Sequence, residues 1–207
     1  MSAPLASGST IGIVGGGQLG RMLAMAAARL GYQTLILEPQ ADCPAAQVAN
    51  DQIVAAYDDP RGLAELASRS SVVTYEFENV PVEAAERLAA DRSVLPPPLA
   101  LKVAQDRLTE KDFLNGLGIR TADYRAVDSD ADLAAALGAF GGGVLKTRRM
   151  GYDGKGQLVL RGDAGIVGIH AAMGGVPLIL ESLVAFDCEI SDIAARGADG
   201  AVAAYDP

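Results

Sequence analysis

"IGIVGGGQLG", residues 11–20, decides the fold. An apolar run, Ile11 to Val14, breaks into Gly15, Gly16 and Gly17, and a fourth glycine follows at Gly20. Leu19, Met22, Leu23, Ala26 and Leu30 then recur at helical spacing until Gly31 stops the pattern. "TLILEP" (34–39) reads as a short buried strand ending in Glu38. Two more units repeat the rhythm. "QIVAAY" (52–57) precedes the helical "RGLAELASR" (61–69), and "SVVTYEF" (71–77) precedes "PVEAAERLAA" (81–90), with Pro81 at a helix start. Strands alternating with helices predict an α/β fold, a parallel sheet with helices on both faces.

"VLPPPLALKVAQDR" (94–107) breaks this rhythm. Three prolines in a row read as a stiff connector and put a domain boundary near residue 100, giving domains 1–100 and 101–207. Beyond it, "DRLTEKDFLNGLG" (106–118) reads as a helix, Tyr124 to Val127 as a short strand and 130–139 as an alanine-rich helix. "GGGVLKTRRMGYDGKGQLVL" (141–160) reads as strand, glycine-rich loop, strand. "VPLILES" (176–182) is a further buried strand, and "CEISDIAARG" (188–197) alternates like a half-exposed antiparallel one.

Composition narrows the function classes. The 207 residues carry 17 basic and 26 acidic side chains, a net charge of −9. Nucleic acid is not the expected partner, because binding it needs a basic face. "MSAPLASGST" (1–10) has neither the basic nor the apolar segment of a secretory signal. The uncharged stretch from Ala164 to Leu180 is interrupted by His170, Gly174, Gly175 and Pro177, so it predicts helix, turn and strand rather than a membrane span. A soluble cytoplasmic protein is expected, with Cys43 and Cys188 as reduced thiols and the single His170 in a packing role.

Three stretches point to ligands. Gly15, Gly17 and Gly20 satisfy G-x-G-x-x-G between a strand and a helix, and Glu38 stands where a dinucleotide's ribose-binding acid is expected. A tight strand–helix turn with no ligand fits the same glycines. Gln18 and Arg21 are polar groups on that turn, and "YEFEN" (75–79) puts Glu76, Glu78 and Asn79 at the carboxyl end of a later strand, where α/β sheets bind ligands. Acids beside a phosphate turn suit a ligand with hydroxyls or an amine as well as a phosphate. The second stretch, "KTRRMGYDGK" (146–155), has four basic residues and one acid in an otherwise acidic chain. Such a hairpin loop can fold over an anion with its N–H groups and lysines. It is not a Walker loop, since G-x-x-x-x-G-K-[ST] is absent. The third is "LILES" (178–182), ending near Glu181, with Glu189 eight residues on. A strand end with acids nearby can read an adenine edge and ribose hydroxyls.

Together, "GGGQLGRML" (15–23), "YEFENVP" (75–81), "DRLTEK" (106–111), "LKTRRMGYDGKGQ" (145–157) and "ESLVAFDCEIS" (181–191) resemble the ATP-grasp superfamily and, more narrowly, the carboxyaminoimidazole ribonucleotide synthase family. The resemblance implies a Rossmann-like pre-ATP-grasp domain followed by the first part of an α+β ATP-grasp domain. It implies a ligase of purine biosynthesis that joins bicarbonate to the amine of aminoimidazole ribonucleotide, using ATP and passing through carboxyphosphate. By motif match, Arg107 and Lys146 look like ATP phosphate ligands. Gly151, Tyr152, Asp153, Gly154, Lys155, Gly156 and Gln157 look like the loop covering the phosphates, with Tyr152 and Lys146 closest to the chemistry. Glu181, Ser182, Leu183 and Val184 look like the adenine segment and Glu189 like the ribose ligand. Gln18, Leu19 and Glu76 match substrate positions. The family extends past the point reached by Pro207, and the ligands of Mg2+ are expected there, so no metal ligand is assigned and residues 1–207 alone are expected not to turn over. A homodimer is implied for the full-length family member. A nicotinamide-dependent oxidoreductase using Gly15–Gly20 and Glu38, and a non-catalytic nucleotide-binding module, remain competing readings.

Overall fold

The computed structural model describes residues 4–151, 155–162, 165–197 and 199–207. Tyr152, Asp153 and Gly154 of the predicted covering loop lie outside the described residues. The first half alternates β1 (Thr10–Val14), α1 (Gln18–Arg29), β2 (Gln33–Leu37), β3 (Asp51–Ile53), α2 (Pro60–Arg69), β4 (Val72–Tyr75) and α3 (Val82–Asp91). The strands form one parallel sheet in the order β3-β2-β1-β4. The alternating pattern thus delivers the expected architecture. Strands covered on both faces read as continuous apolar runs, and Leu35, Ile36 and Leu37 are all buried. Val14, Leu35, Leu37 and Val73 face Leu63 and Leu66 of α2 and Leu88 of α3. Ile13 and Ile36 point to the other face, against Cys43 and Ala45. Asp59 caps α2 by accepting from the amides of Arg61 and Gly62, both at 2.8 Å.

The proline-rich connector is not merely extended. It contains α4 (Pro98–Ala104), with Pro98 in the first turn, where its missing N–H costs no hydrogen bond. The buried Gln105 side chain donates to the Val80 carbonyl and ties the end of this helix to the first sheet's layer. Then come α5 (Arg107–Gly116), β5 (Tyr124–Val127), α6 (Asp130–Phe140), β6 (Gly142–Thr147), β7 (Gln157–Arg161), α7 (Ile169–Ala172) and β8 (Leu178–Ser182). These strands form an antiparallel sheet, β5-β8-β6-β7. Leu133, Ala136 and Leu137 of α6 cover Val127, Leu145, Leu178 and Leu180.

Two expected strands are shorter than predicted. "QIVAAY" is strand only to Ile53, because Asp59 already caps the next helix six residues on. "CEISDIAARG" forms only β9 (Ala194–Arg196), which pairs with β10 (Val202–Ala204). Both are wholly exposed, so no core holds the remaining residues in register. Among the described residues no helix is long and apolar enough to cross a membrane.

Met150 carries a positive φ of 62° while 69% exposed. A side chain in this conformation is strained by about 1–2 kcal/mol, partly offset on substitution by glycine's larger unfolded-state entropy of roughly 0.5–1 kcal/mol. Met150→Gly is therefore expected to raise thermal stability by a few degrees, as read by calorimetry. A drop in Tm would mean that the methionine side chain makes compensating contacts.

Candidate functional site

Two polar centres form, one on each sheet. In the antiparallel sheet, Val144 lies opposite Glu181 and Lys146 opposite Ile179. Residues two apart share a face, so Lys146 and Glu181 are diagonal neighbours. The Lys146 ammonium donates to Glu181 Oε2 at 2.9 Å, and Lys111 Nζ lies 3.5 Å from the same oxygen. Glu181 is buried, and its Oε1 has no hydrogen-bond partner among the described residues. Lys146 thus belongs to a strand and to an ion cluster rather than to the connection between β6 and β7.

Asp106 organises the adjoining wall. Its Oδ1 accepts from the amides of Leu108 and Thr109, capping α5. Arg148 binds the same carboxylate in bidentate fashion, Nε to Oδ1 at 3.0 Å and Nη2 to Oδ2 at 2.9 Å, and Arg149 Nε stands 3.6 Å away. Burial pushes the Asp106 carboxyl up, but Arg148 and the two amides outweigh it and hold the group below its ordinary value. The basic surplus of residues 146–155 is therefore largely matched by the chain's own acids. Lys146, Arg148 and Arg149 face Glu181 and Asp106.

Next to Asp106, the Arg107 amide donates to the Arg148 carbonyl at 3.0 Å and its guanidinium reaches the Gly151 carbonyl at 3.4 Å. A cavity of about 290 Å³ opens there, lined by Arg107, Arg148, Gly151, Glu110 and Glu78. At Gly156, φ is +69° and a Cβ would lie 2.7 Å from Thr147 Oγ1, so only glycine fits the hairpin as built. Gln157 and Lys155 are exposed. Ser182 ends β8, Leu183 and Val184 follow it exposed, and no hydrogen bond or ion pair among the described residues ties Glu189 to the cluster.

The first glycine turn is occupied by the protein itself. Glu76, just past β4, accepts from the Gly17 amide at 2.5 Å and from the Gly20 amide. Glu38 accepts from the Gly16 amide at 2.9 Å and from the Tyr57 hydroxyl at 2.5 Å. Burial, then the adjacent Glu38 carboxylate, raises the Tyr57 phenol. These amides are where a dinucleotide's pyrophosphate would bind, and two carboxylates fill them. The dinucleotide reading fails on this point. Gln18 and Leu19, exposed in the first turn of α1, lie in the chain between Gly17 and Gly20, whose amides Glu76 holds, so the structure places the three residues at one turn. A cavity of about 210 Å³ adjoins them, lined by Gly16, Gly17, Glu38, Tyr57, Glu76 and Phe77 among others. A further cavity, about 570 Å³, is apolar, lies between α1, β1 and β4, and contains no candidate residue.

Residues 8–105 match the ribonucleotide synthetase preATP-grasp domain, and residues 112–207 match the ATP-grasp domain. N5-carboxyaminoimidazole ribonucleotide synthase of Brucella melitensis is 63% identical over 205 residues, covering 98% of this chain and 57% of that protein. The chain belongs to the N5-carboxyaminoimidazole ribonucleotide synthase family. A solved N5-carboxyaminoimidazole ribonucleotide synthetase in complex with ADP superimposes with a TM-score of 0.93 at 40% identity, over 99% of this chain and 55% of that one. The Aspergillus clavatus synthase in complex with ADP and 5-aminoimidazole ribonucleotide gives a TM-score of 0.79 at 25% identity, over 96% of this chain and 52% of that one. The chain spans about half the length of these synthase relatives.

Three participants escaped the sequence reading of this synthase-family chain: Asp106, Lys111 and Tyr57. Asp106 left a signal, since an acid directly before a helical pattern reads as an N-cap. Tyr57 left none and Lys111 only its place in "DRLTEK", because each meets its carboxylate only through the tertiary fold.

Proposed function

We propose that this chain forms the ATP- and substrate-binding part of an enzyme that carboxylates 5-aminoimidazole ribonucleotide with bicarbonate in purine biosynthesis. The observation carrying this reading is the separation of two centres of different chemistry. The Lys146–Glu181–Lys111 cluster, with Arg107, offers cations and a free buried acceptor, which suits a purine nucleotide. The Glu76 and Glu38 carboxylates fill the first turn, which suits the hydroxyls and amine of a ribonucleotide rather than a phosphate. Here Lys146 and Arg107 bind phosphate oxygens, residues 151–157 cover them, Glu181 to Val184 hold the adenine and Glu189 the ribose. Gln18, Leu19 and Glu76 orient the second substrate, with residues 1–100 as its domain and 101–207 as the nucleotide's.

Bicarbonate is a poor electrophile. Transfer of the γ-phosphoryl group to one of its oxygens gives ADP and carboxyphosphate. This mixed anhydride splits into carbon dioxide and phosphate, and the exocyclic amine adds to the carbon dioxide with loss of a proton. Lys146 stabilises charge on the transferring group, and Tyr152 stands by the bicarbonate and the amine. Water must be kept out, since the anhydride hydrolyses. Among the described residues no group of three or more His, Cys, Asp or Glu side chains could hold a metal ion; the ligands of the Mg2+ we expect with ATP belong to the part of the relatives' length that this chain does not span. A cytoplasmic homodimer is the assembly we expect.

The relatives are about twice as long, so the test uses a chimera that continues this chain with the remaining length of the Brucella melitensis relative. Phosphate release should require both bicarbonate and aminoimidazole ribonucleotide. Lys146→Ala removes a charge-assisted hydrogen bond worth roughly 1.5–3 kcal/mol, about ten- to a hundredfold in ATP affinity or turnover. Because Lys146 also pairs with buried Glu181, a modest loss of stability should accompany it. Unchanged kinetics would remove Lys146 from the site.

A further inference from the structure

We propose that Lys111 is a positioning residue that frees Lys146 to bind a phosphate; this rests on the nucleotide reading above. Lys111 lies one helical turn after Arg107 on α5, on the same face. Its side chain is only 14% exposed, and a buried ammonium needs a partner. Two are provided. Glu181 Oε2 lies 3.5 Å away, and the Tyr124 ring lies beneath the ammonium, 5.9 Å to its centroid. Tyr124 stands directly opposite Glu181 in the β5–β8 pairing, and its hydroxyl donates to Asp112 Oδ1 at 2.6 Å, which fixes the ring. The sheet therefore builds a seat for Lys111 as well as for Lys146.

Charge explains why two lysines meet one carboxylate. Lys146 and Glu181 alone would be a neutral pair with little attraction for an anion. If Lys146 turned towards a phosphate, it would uncover a buried carboxylate, which is strongly unfavourable. With Lys111 present the cluster carries one net positive charge. Glu181 stays paired to Lys111 while Lys146 donates outward. Lys111 thus governs recognition of the phosphate without touching it.

The test measures ADP and adenosine binding to the 207-residue chain by ligand-observed NMR, a method suited to weak affinities. Lys111→Met should weaken ADP by about tenfold, the effect of one unit charge a few ångströms beyond the contact, and leave adenosine within about twofold. Lys111→Arg should restore ADP binding, since it returns the charge. Lys146→Ala should also weaken ADP. If Lys111→Met does not fold, as read by circular dichroism, Lys111→Gln replaces it. Equal losses for ADP and adenosine would make Lys111 merely structural and overturn the proposal. Loss with Lys146→Ala but none with Lys111→Met would overturn it while sparing the nucleotide reading. No ADP binding by the wild-type chain, or none lost with Lys146→Ala, would overturn both.

Discussion

Asp106→Ala is expected to destabilise the chain by about 3 kcal/mol, the low end of what removing one partner of a buried ion pair costs. For a chain of this size that is a fall in Tm of roughly 6–12 °C. Three effects add. The first turn of α5 loses its cap, worth about 1 kcal/mol. Arg148 loses both of its charge-assisted hydrogen bonds, and Arg149 loses its nearest counter-charge. Asp106→Asn separates these effects, because asparagine caps as well as aspartate but carries no charge. It should lose less than alanine. Acid provides a second check. The folded Asp106 carboxyl lies below its ordinary value of 3.8, so its contribution is present above that pH and disappears as pH falls through the lowered value. Wild type and Asp106→Asn should therefore differ at neutral pH and converge in strong acid. Denaturant melts at both pH values measure this. A difference that persists unchanged in acid would show that charge is not what Asp106 contributes. The functional consequence follows from position. Asp106 joins the start of α5 to the exit of β6, and the next residue, Arg107, reaches Gly151 across that junction. Loss of Asp106 should loosen Arg107 as well.

The order of elements was legible because hydrophobic period and punctuation are local properties. Gly31, Pro60 and Asp59 mark helix boundaries wherever they occur in such patterns, and the buried runs at 34–37 and 178–180 read as strands without tertiary help. The site was legible only as residue types. Four basic residues in ten suggested a phosphate-binding loop, yet Arg148 and Arg149 face Asp106, an acid more than forty positions away. Likewise Glu38 sits at the spacing of a ribose-binding acid, and spacing alone does not show that its Oε2 is taken up by Gly16 and Tyr57. The charge count of a segment says nothing about which acids the fold will bring to it. The weakest reading concerned residues 188–197, where alternation suggested a full strand. Alternation specifies a strand only when one face has something to cover, and among the described residues β9 and β10 pair only with each other.

Gly17→Val should abolish use of the second substrate while leaving nucleotide binding intact. The choice of glycine matters. At Gly16 a Cβ would lie 2.4 Å from the buried Cys43 Sγ and 2.7 Å from Glu38 Cγ, so a variant there would test folding instead. At Gly17 the nearest atom is Glu76 Oε1, at 2.9 Å, the far end of a flexible side chain. Valine can be accommodated if Glu76 swings away. The fold then loses a remote helix cap, worth about 1–2 kcal/mol, and stays folded. The substrate loses more. Glu76 no longer stands beside Gln18 and Leu19, and the valine methyl groups cover the turn. Two charge-assisted hydrogen bonds of roughly 1.5–3 kcal/mol each are at stake, about a hundredfold or more in affinity for aminoimidazole ribonucleotide. ADP should bind as before, because Lys146 and Glu181 belong to the other sheet and Lys111 to the helix α5 beside it. Glu76→Gln should fall between, keeping the shape but weakening both bonds. The same variant discriminates against the dinucleotide alternative. Wild type should show no saturable NADH binding by fluorescence titration, since carboxylates hold the amides that a pyrophosphate needs. Micromolar NADH binding that Gly17→Val removes would mean that Glu76 yields to the pyrophosphate, and the first turn would then have to be reassigned as a dinucleotide site.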